Sequence, residues 1–492
     1  MYVGLSTTSS TASITASDTT SEVSLQWVRI VPWLVCGIIS ALSLLWAAAP
    51  TYDPWSWLVW SRELTGHSLQ EFSSAGATGW KPLPVLFQAP LNLLGFSNVP
   101  TLWVWISRTA LFMIPVFGWR LGRMSAGRLG GLAGAVAAAL TPGMLLYLGG
   151  LSEPIVALFL LVMVEKGLQE KGLAAWLAGL GAVLGRPEML AVVAPAGLWM
   201  SYRKNLKIPY LIIGIIGAAL LWMSGDWISG GKPLAVAGRA DVSQEPTMIQ
   251  HTAWPAWYMI THQPLGWVLI GAGLLAGIAA WVWQDRVGKV LFLLILFGAG
   301  GLILFTQFGY PGVPRYIAPV LPALTIMVGI AVAHTVQKLV KNPAKQMIAA
   351  ITMILVLALP QSIGQAHSNL KWYQSKNQQT VALKNLVSSL GGHRFFKECW
   401  GAAPEPANLT SALAYYADLR LDRTGRSVTR GINPRRAPQV LLVRDRSSEW
   451  VVSQAKAHRL NVTKLGSHGK WSIWSTLDAR GRSCGHKILF RA

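Results

Sequence analysis

Eight stretches of this chain, near residues 27–49, 101–119, 129–149, 208–224, 265–284, 288–306, 316–336 and 346–364, are almost free of charge. Each runs for roughly the 17 to 25 residues a helix needs to cross the hydrocarbon core of a bilayer. Burying so many such helices against each other in water is not a realistic alternative. Three shorter apolar runs, 153–165, 172–185 and 188–201, have the length of re-entrant segments as much as of full crossings. Counted with the rest, they give about eleven transmembrane helices. The composition agrees: 52% hydrophobic and 13% charged, where soluble proteins carry about a quarter charged residues. The fold class expected is a polytopic α-helical membrane protein.

Lys and Arg accumulate on the cytoplasmic side of short loops. Alternate connections hold Arg120, Arg123 and Arg128; Lys166 and Lys171; Arg203, Lys204 and Lys207; Arg286 and Lys289; Lys338, Lys341 and Lys345. These are expected to be cytoplasmic, which turns the connections 50–100 and 225–263 outward. Residues 1–26 are rich in Ser and Thr and carry no basic segment before the first apolar run. They read as a disordered cytoplasmic tail, and the first run as a retained span rather than a cleaved signal.

After residue 366 the pattern changes to short apolar runs such as Val440–Val443 within a mixed polar sequence, with a helix expected around Gln379–Leu390. Residues 366–492 therefore read as a small extracytoplasmic α/β domain. Cys399 and Cys484 fall in it, while Cys36 lies in the first span. An oxidising exterior favours a disulfide between the two, with a pair of buried thiols as the alternative. Of the formal charge of +22, a large part is here: from residue 371 on there are 21 Lys and Arg against 7 Asp and Glu. A basic face outside the bilayer suits anionic headgroups or an acidic envelope polymer, or is simply a solvated surface; nucleic acid is not an expected partner.

The segment "PTYDPWSWLVWSRE" (residues 50–63) puts Asp53 among tryptophans at the outer end of the first span. Asp followed by Pro is a common helix start, with Asp as the N-cap, and Trp55, Trp57 and Trp60 would form an interfacial belt. Capping leaves a carboxylate oxygen free, so a chemical role is compatible with it. Further ionisable residues map to outer span ends: Glu63, Lys81 in "GWKPLPV", Glu153 in "LSEPIVALF", Arg186 and Glu188 in "LGRPEML", and Arg315 in "GYPGVPRYIAP". Each alone is a helix-end anchor or a functional group. Together they outline one outward-facing site that holds both acids and cations.

An acidic residue opening the long first outer loop, "SEP" opening a mid-chain span, "RPE" at an outer helix end and a late "G-x-P-R-Y-x-x-P" resemble the GT-C superfamily of integral-membrane glycosyltransferases. The pair "DPWSWLVWSRE" and "WKPLPV" is similar to actinobacterial members. The resemblance covers residues 27–365 and implies a GT-C-like transmembrane domain whose outer loop 50–100 carries the active site. It implies a polyprenyl-phosphate sugar as donor and an envelope glycan, lipid or protein acceptor. Asp53 matches the family's catalytic acid and would act as general base. Arg315, Lys81 and Arg186 would bind the donor phosphate, the planar guanidinium suiting phosphate best. Trp55, Trp57, Trp80, Glu63, Glu153, Glu188, Tyr310 and Tyr316 are the substrate-binding candidates; the tryptophans serve sugar stacking and interface anchoring equally well. Many relatives pair two acids in the first loop, whereas Tyr52 precedes Asp53 here, so the expected mechanism needs no metal and no cofactor. Mannose and arabinofuranose are the sugars the resemblance suggests. A transporter or flippase of lipid-linked sugars would be expected to show internal repeats, and none is evident; a noncatalytic envelope-assembly scaffold would not need Asp53. The expected location is the plasma membrane, with the C-terminal domain outside.

Overall fold

The computed structural model describes residues 17–66, 80–95, 98–230, 266–307, 314–397, 399–424, 439–478 and 480–484. Helix α1 (Ser17–Ser43) starts ten residues before the expected first span and stops short of its end. From residue 44 to 51 the chain is not helical. Helices α2 (Tyr52–Gly66) and α3 (Pro82–Leu93) follow and pack together.

Helix α4 (Val99–Ala139) is a hairpin rather than one rod: Ala126 and Gly127 leave helical geometry, Gly127 at φ 63°. Its two arms correspond to the two spans read from the sequence, with Arg120, Arg123 and Arg128 around the bend. Glycines let the arms touch backbone to backbone. A Cβ on Gly122 would stand 2.0 Å from the Gly130 carbonyl oxygen, and one on Gly118 would stand 2.5 Å from that of Gly134.

Next come α5 (Glu153–Leu168), α6 (Gly172–Gly185), α7 (Leu190–Tyr202), α8 (Ile208–Gly230) and α9 (Gly266–Val282). Helix α10 (Arg286–Ile295) is capped by Asp285, whose carboxylate accepts from the Val287 and Gly288 amides. It continues through a π turn (Leu296–Gly300) into α11 (Gly301–Gln307). A 3-10 segment, Pro314–Val320, opens α12 (Leu321–Leu339), and Asn342 caps α13 (Pro343–Ser389).

Among the described residues five stretches are long and apolar enough to cross a membrane: Val99–Ala139, Ile208–Gly225, Arg286–Leu304, Arg315–Leu339 and Pro343–Ser389. Shorter apolar helices are Ile30–Ser43, Gly172–Gly185 and Gly266–Val282. The figure of about eleven is therefore not reached by length alone, because α5 and α7 have only 16 and 13 residues. Leu, Ile, Val and Trp side chains stand exposed along α1, α8 and α9, as expected of faces that meet lipid rather than water.

Helix α13 runs unbroken past residue 366, where a domain boundary was expected, and the helix read at 379–390 is its far end. Beyond it lie α14 (His393–Lys397), β1 (Gly401–Glu405), α15 (Thr410–Tyr416), β2 (Gln439–Arg444), α16 (Ser448–Ala457), β3 (Val462–His468) and β4 (Trp471–Thr476). The sheet order is β1-β2-β4-β3, with β1 parallel to β2 and the other pairs antiparallel. Alternate residues of β2 serve two cores: Val440 and Leu442 face α13 and α15, Leu441 and Val443 face α16. Cys399 and Cys484 are joined by a disulfide, with Cα atoms 5.3 Å apart; Cys36 is a buried thiol.

This domain sits directly on α2. Ser56 Oγ and Ser411 Oγ are hydrogen-bonded at 2.8 Å. Arg62 donates to the carbonyls of Tyr415 and Leu419 at 3.1 and 2.9 Å and pairs with Asp418 at 2.9 Å.

Candidate active site

Asp53 lies in the first turn of α2, not ahead of it as the N-cap reading required. Its carboxylate Oδ2 accepts from Arg315 Nη2 at 2.9 Å, across 262 residues of sequence. Arg315 stands on the 3-10 segment that opens α12, where Pro314 and Pro319 rule out ordinary α-helical hydrogen bonding.

Arg186 and its neighbours form the second group. The segment between α6 and α7 turns at Arg186, whose backbone is extended before Pro187, as the residue before a proline prefers. The guanidinium then pairs with Glu153, at the start of α5, through Nη2, and with Glu188 at 2.7 Å through Nη1. All three side chains are buried. Three residues proposed from the sequence for substrate thus spend most of their charge on each other. Two carboxylates, Glu153 and Glu188, neutralise Arg186, expected from the sequence to bind the donor phosphate, and hold it in place.

Lys81 joins the two groups. Nζ donates to Ser152 Oγ at 3.1 Å and lies 4.8 Å from the Trp57 ring centroid. Burial, helped by repulsion from Arg186 and Arg315, lowers its pKa from 10.5 to about 8 against the opposing pull of Glu153 and Asp53. Tyr316 carries Arg186 over its ring at 4.5 Å and Arg315 at 5.9 Å, so the two guanidiniums share one aromatic face. Tyr147, buried on the 3-10 turn Met144–Gly149, lies within electrostatic reach of Glu153, Arg186 and Arg315 and was not picked out from the sequence.

Several polar atoms here are buried without a hydrogen bond: Nε of Arg315, Nε of Arg186, Oε2 of Glu153 and Nε1 of Trp57. Unpartnered buried polar atoms are costly and rare. Two of these are guanidinium donors beside one tyrosine, which is the arrangement an anion would complete.

The other tryptophans serve differently. Trp55 turns away from the site, bonding the Pro50 carbonyl at 2.9 Å and packing on Tyr415 and Tyr416. On α2, residues two apart point to different sides, so Asp53 and Trp57 face the charges while Trp55, a substrate-binding candidate from the sequence, faces the C-terminal domain. Trp80 packs on Trp60 and donates to Leu221 O at 3.0 Å, which makes it an anchor between loop and α8. Glu63 is buried ten residues beyond Asp53, about 15 Å further along the helix axis. Tyr310 lies outside the described residues.

No family model and no curated protein matches the chain. Among solved structures, ArnT from Cupriavidus metallidurans in the apo state is similar with a TM-score of 0.52 at 12% identity, over 94% of this chain and 98% of that one. The same protein bound to undecaprenyl phosphate gives 0.46 at 14% identity, over 92% and 99%. The Archaeoglobus fulgidus oligosaccharyltransferase in the apo form gives 0.46 at 11% identity, over 82% and 64%. The first likeness establishes the fold: a polytopic helical architecture shared with ArnT, with a small C-terminal sheet domain, the fold class expected from the sequence. The two at 0.46 add nothing to that.

Proposed function

We propose that the chain is a glycosyltransferase that moves a sugar from a polyprenyl-phosphate donor to an acceptor hydroxyl at the outer face of the membrane. The observation that carries this reading is the Asp53–Arg315 pair at 2.9 Å, with Lys81 and two unpartnered guanidinium Nε donors around it. A carboxylate beside an anion-binding cluster, at the ends of membrane helices, is what joining a phosphate-linked sugar to a hydroxyl requires. ArnT, whose fold this chain shares, binds undecaprenyl phosphate, and a carrier of that class is the one proposed.

In the proposed step the acceptor oxygen attacks the anomeric carbon while its proton passes to Asp53. The bond between that carbon and the phosphate oxygen breaks, and its electron pair leaves on the polyprenyl phosphate. Arg315 and Lys81 stabilise the departing charge, with charge-assisted bonds stronger than neutral ones in a site sheltered from water. Arg186 contributes through its remaining Nε–H. The ion pair adds an ordering device. In the empty site Arg315 occupies the base; an arriving phosphate competes for the guanidinium and frees Asp53 once the donor is seated. Trp57 supplies an aromatic face and a free indole N–H for the sugar.

The proposed layout is a cytoplasmic N-terminal tail, a transmembrane domain and an outer C-terminal domain in the plasma membrane, with mannose or arabinofuranose as the sugar and an envelope glycan, lipid or protein as acceptor. The test is analysis of lipid-linked sugars and envelope glycans in a deletion strain, complemented with wild type or Asp53→Asn. Accumulation of one polyprenyl-phosphate sugar, reversed only by wild type, is expected. Full complementation by Asp53→Asn would point instead to a flippase or scaffold.

A further inference from the structure

Arg108 stands in the first arm of α4, inside the membrane domain, 1% exposed, and no carboxylate is among its partners. Nε donates to Leu148 O at 2.9 Å, Nη1 to Ser43 Oγ at 2.8 Å, and Nη2 to Ala47 O at 2.5 Å and to Tyr373 Oη at 2.9 Å. Tyr373, on α13 and fully buried, passes its own proton to Ala49 O at 2.9 Å. A burial this costly is retained where it does something, and the backbone carbonyls that accept here, of Ala47, Ala49 and Leu148, belong to the two segments that lead into the site.

The first segment is residues 44–51, non-helical chain whose backbone groups need partners at membrane depth. Arg108 and Tyr373 hold its carbonyls, and Asn377 Oδ1 takes the Ala49 amide at 2.9 Å. The second is the turn from Leu148 to Ser152. Besides Arg108 on Leu148, Trp103 Nε1 donates to Gly150 O at 2.7 Å and Ser107 Oγ to Leu151 O at 2.9 Å. Gly149 O, the carbonyl between, accepts the Thr51 amide at 2.9 Å. Thr51 is two residues before Asp53, and Ser152 is Lys81's partner next to Glu153.

We infer that Arg108 and Tyr373 are positioning residues that lock the Asp53 and Glu153 halves of the site into one register. This rests on the glycosyltransferase reading above. Arg108 touches no reacting group; it acts by fixing where the α2 helix begins relative to the phosphate-binding cations. Misplacement of a reacting group by about 1 Å can cost a hundredfold in rate; Arg108 bonds both segments from α4, beside the direct bond from Thr51 Oγ1 to Gly149 O at 3.2 Å.

The test uses full-length protein in nanodiscs, with Tyr373→Phe, Arg108→Lys and, as a control one position along on the exposed side, Thr109→Val. Undecaprenyl phosphate is the binding probe, and the donor that accumulates in the deletion strain is the substrate. Tyr373→Phe keeps the ring and removes only the hydroxyl. We expect kcat to fall at least about tenfold, KM for donor and undecaprenyl phosphate affinity to stay within about twofold, and amide exchange to speed up in residues 47–53. Arg108→Lys, whose compact ammonium cannot span four acceptors as the planar guanidinium does, should lower kcat likewise, and Thr109→Val should match wild type. Unchanged kcat in Tyr373→Phe overturns the inference, as does a fall in kcat that only follows a lower melting temperature and vanishes on cooling. Wild-type protein that neither binds undecaprenyl phosphate nor transfers sugar overturns the reading beneath it, and this role with it.

Discussion

Asp53 and Arg315, 262 residues apart in the chain, meet at 2.9 Å and tie the first turn of α2 to the 3-10 segment in front of α12. On the proposed reading, the pair covers the base and neutralises the phosphate ligand in the absence of substrate. Replacing Asp53 with Asn should therefore separate binding from turnover. Transfer should fall by about 10² to 10⁴, the usual cost of a lost general base, while affinity for undecaprenyl phosphate stays the same or improves, because Arg315 no longer has an anionic competitor. Weaker lipid phosphate binding in Asp53→Asn, measured by calorimetry, would count against the pair as a gate.

Arg315→Ala removes the guanidinium paired with Asp53, whose Nε–H has no partner among the described residues. A hydrogen bond to a charged group contributes about 1.5–3 kcal/mol, so affinity for the lipid phosphate should drop by about 10- to 100-fold, with the rate falling as well. Arg315→Lys should recover only part of both, since an ammonium cannot offer a planar pair of donors. An alanine variant with wild-type affinity would make Arg315 a helix-end anchor.

Lys81 gives the site a pH response with opposite signs for function and stability. In the empty site its ammonium titrates at about 8 rather than 10.5, burial being the main cause. Donor binding needs the charged form, so kcat/KM should decline as pH rises through about 8, and Lys81→Met should lose that limb along with much of its activity. Stability runs the other way. Between about 8 and 10.5 the unfolded chain binds the proton and the folded one does not, so the folded state gains as pH rises through this window. A pH-rate profile and thermal midpoints across pH 7 to 11 measure the two slopes.

Gly122→Ala should disrupt the α4 hairpin. The added Cβ would sit 2.0 Å from the Gly130 carbonyl oxygen, backbone facing backbone, with no flexible side chain to give way. Overpacking of this kind costs about 1–3 kcal/mol or more, so yield and melting temperature of the purified protein should fall. Gly127→Ala, with open space at its Cβ but a positive φ, should be milder, which separates a steric cause from a conformational one.

Much of the architecture was legible because the bilayer imposes lengths: the apolar runs mark α4, α8, α10–α11, α12 and the start of α13. The outer charges were also legible, since an ionisable residue beside a proline at a span end stands out in so apolar a chain. Who pairs with whom was not. That Arg186 satisfies Glu153 as well as Glu188 depends on the turn between α6 and α7 meeting the start of α5, and spacing along the sequence carries no trace of that. The side Trp55 faces is not legible either, because an aromatic belt and an interdomain core recruit the same residue. A lone arginine within "WVWISRTALF" is a signal in itself, but its partners on α1, α13 and the turn before α5 are not readable from spacing.

Helix α13, 47 residues without a break, is about 70 Å long at 1.5 Å per residue. Hinged linkers let a soluble module wander; a continuous rod makes it a fixed gauge instead. With Tyr373 and Asn377 on its flank, the same rod that carries the C-terminal sheet also grips the chain leading to Asp53, so its helical rise and the contacts of Ser56 and Arg62 set the distance from sheet to site together. An insertion or deletion near residue 385 would lengthen or shorten that gauge by about 1.5 Å and turn the sheet by about 100° per residue, pulling it off α2. Acceptors would then be sorted by size and by the angle at which they arrive.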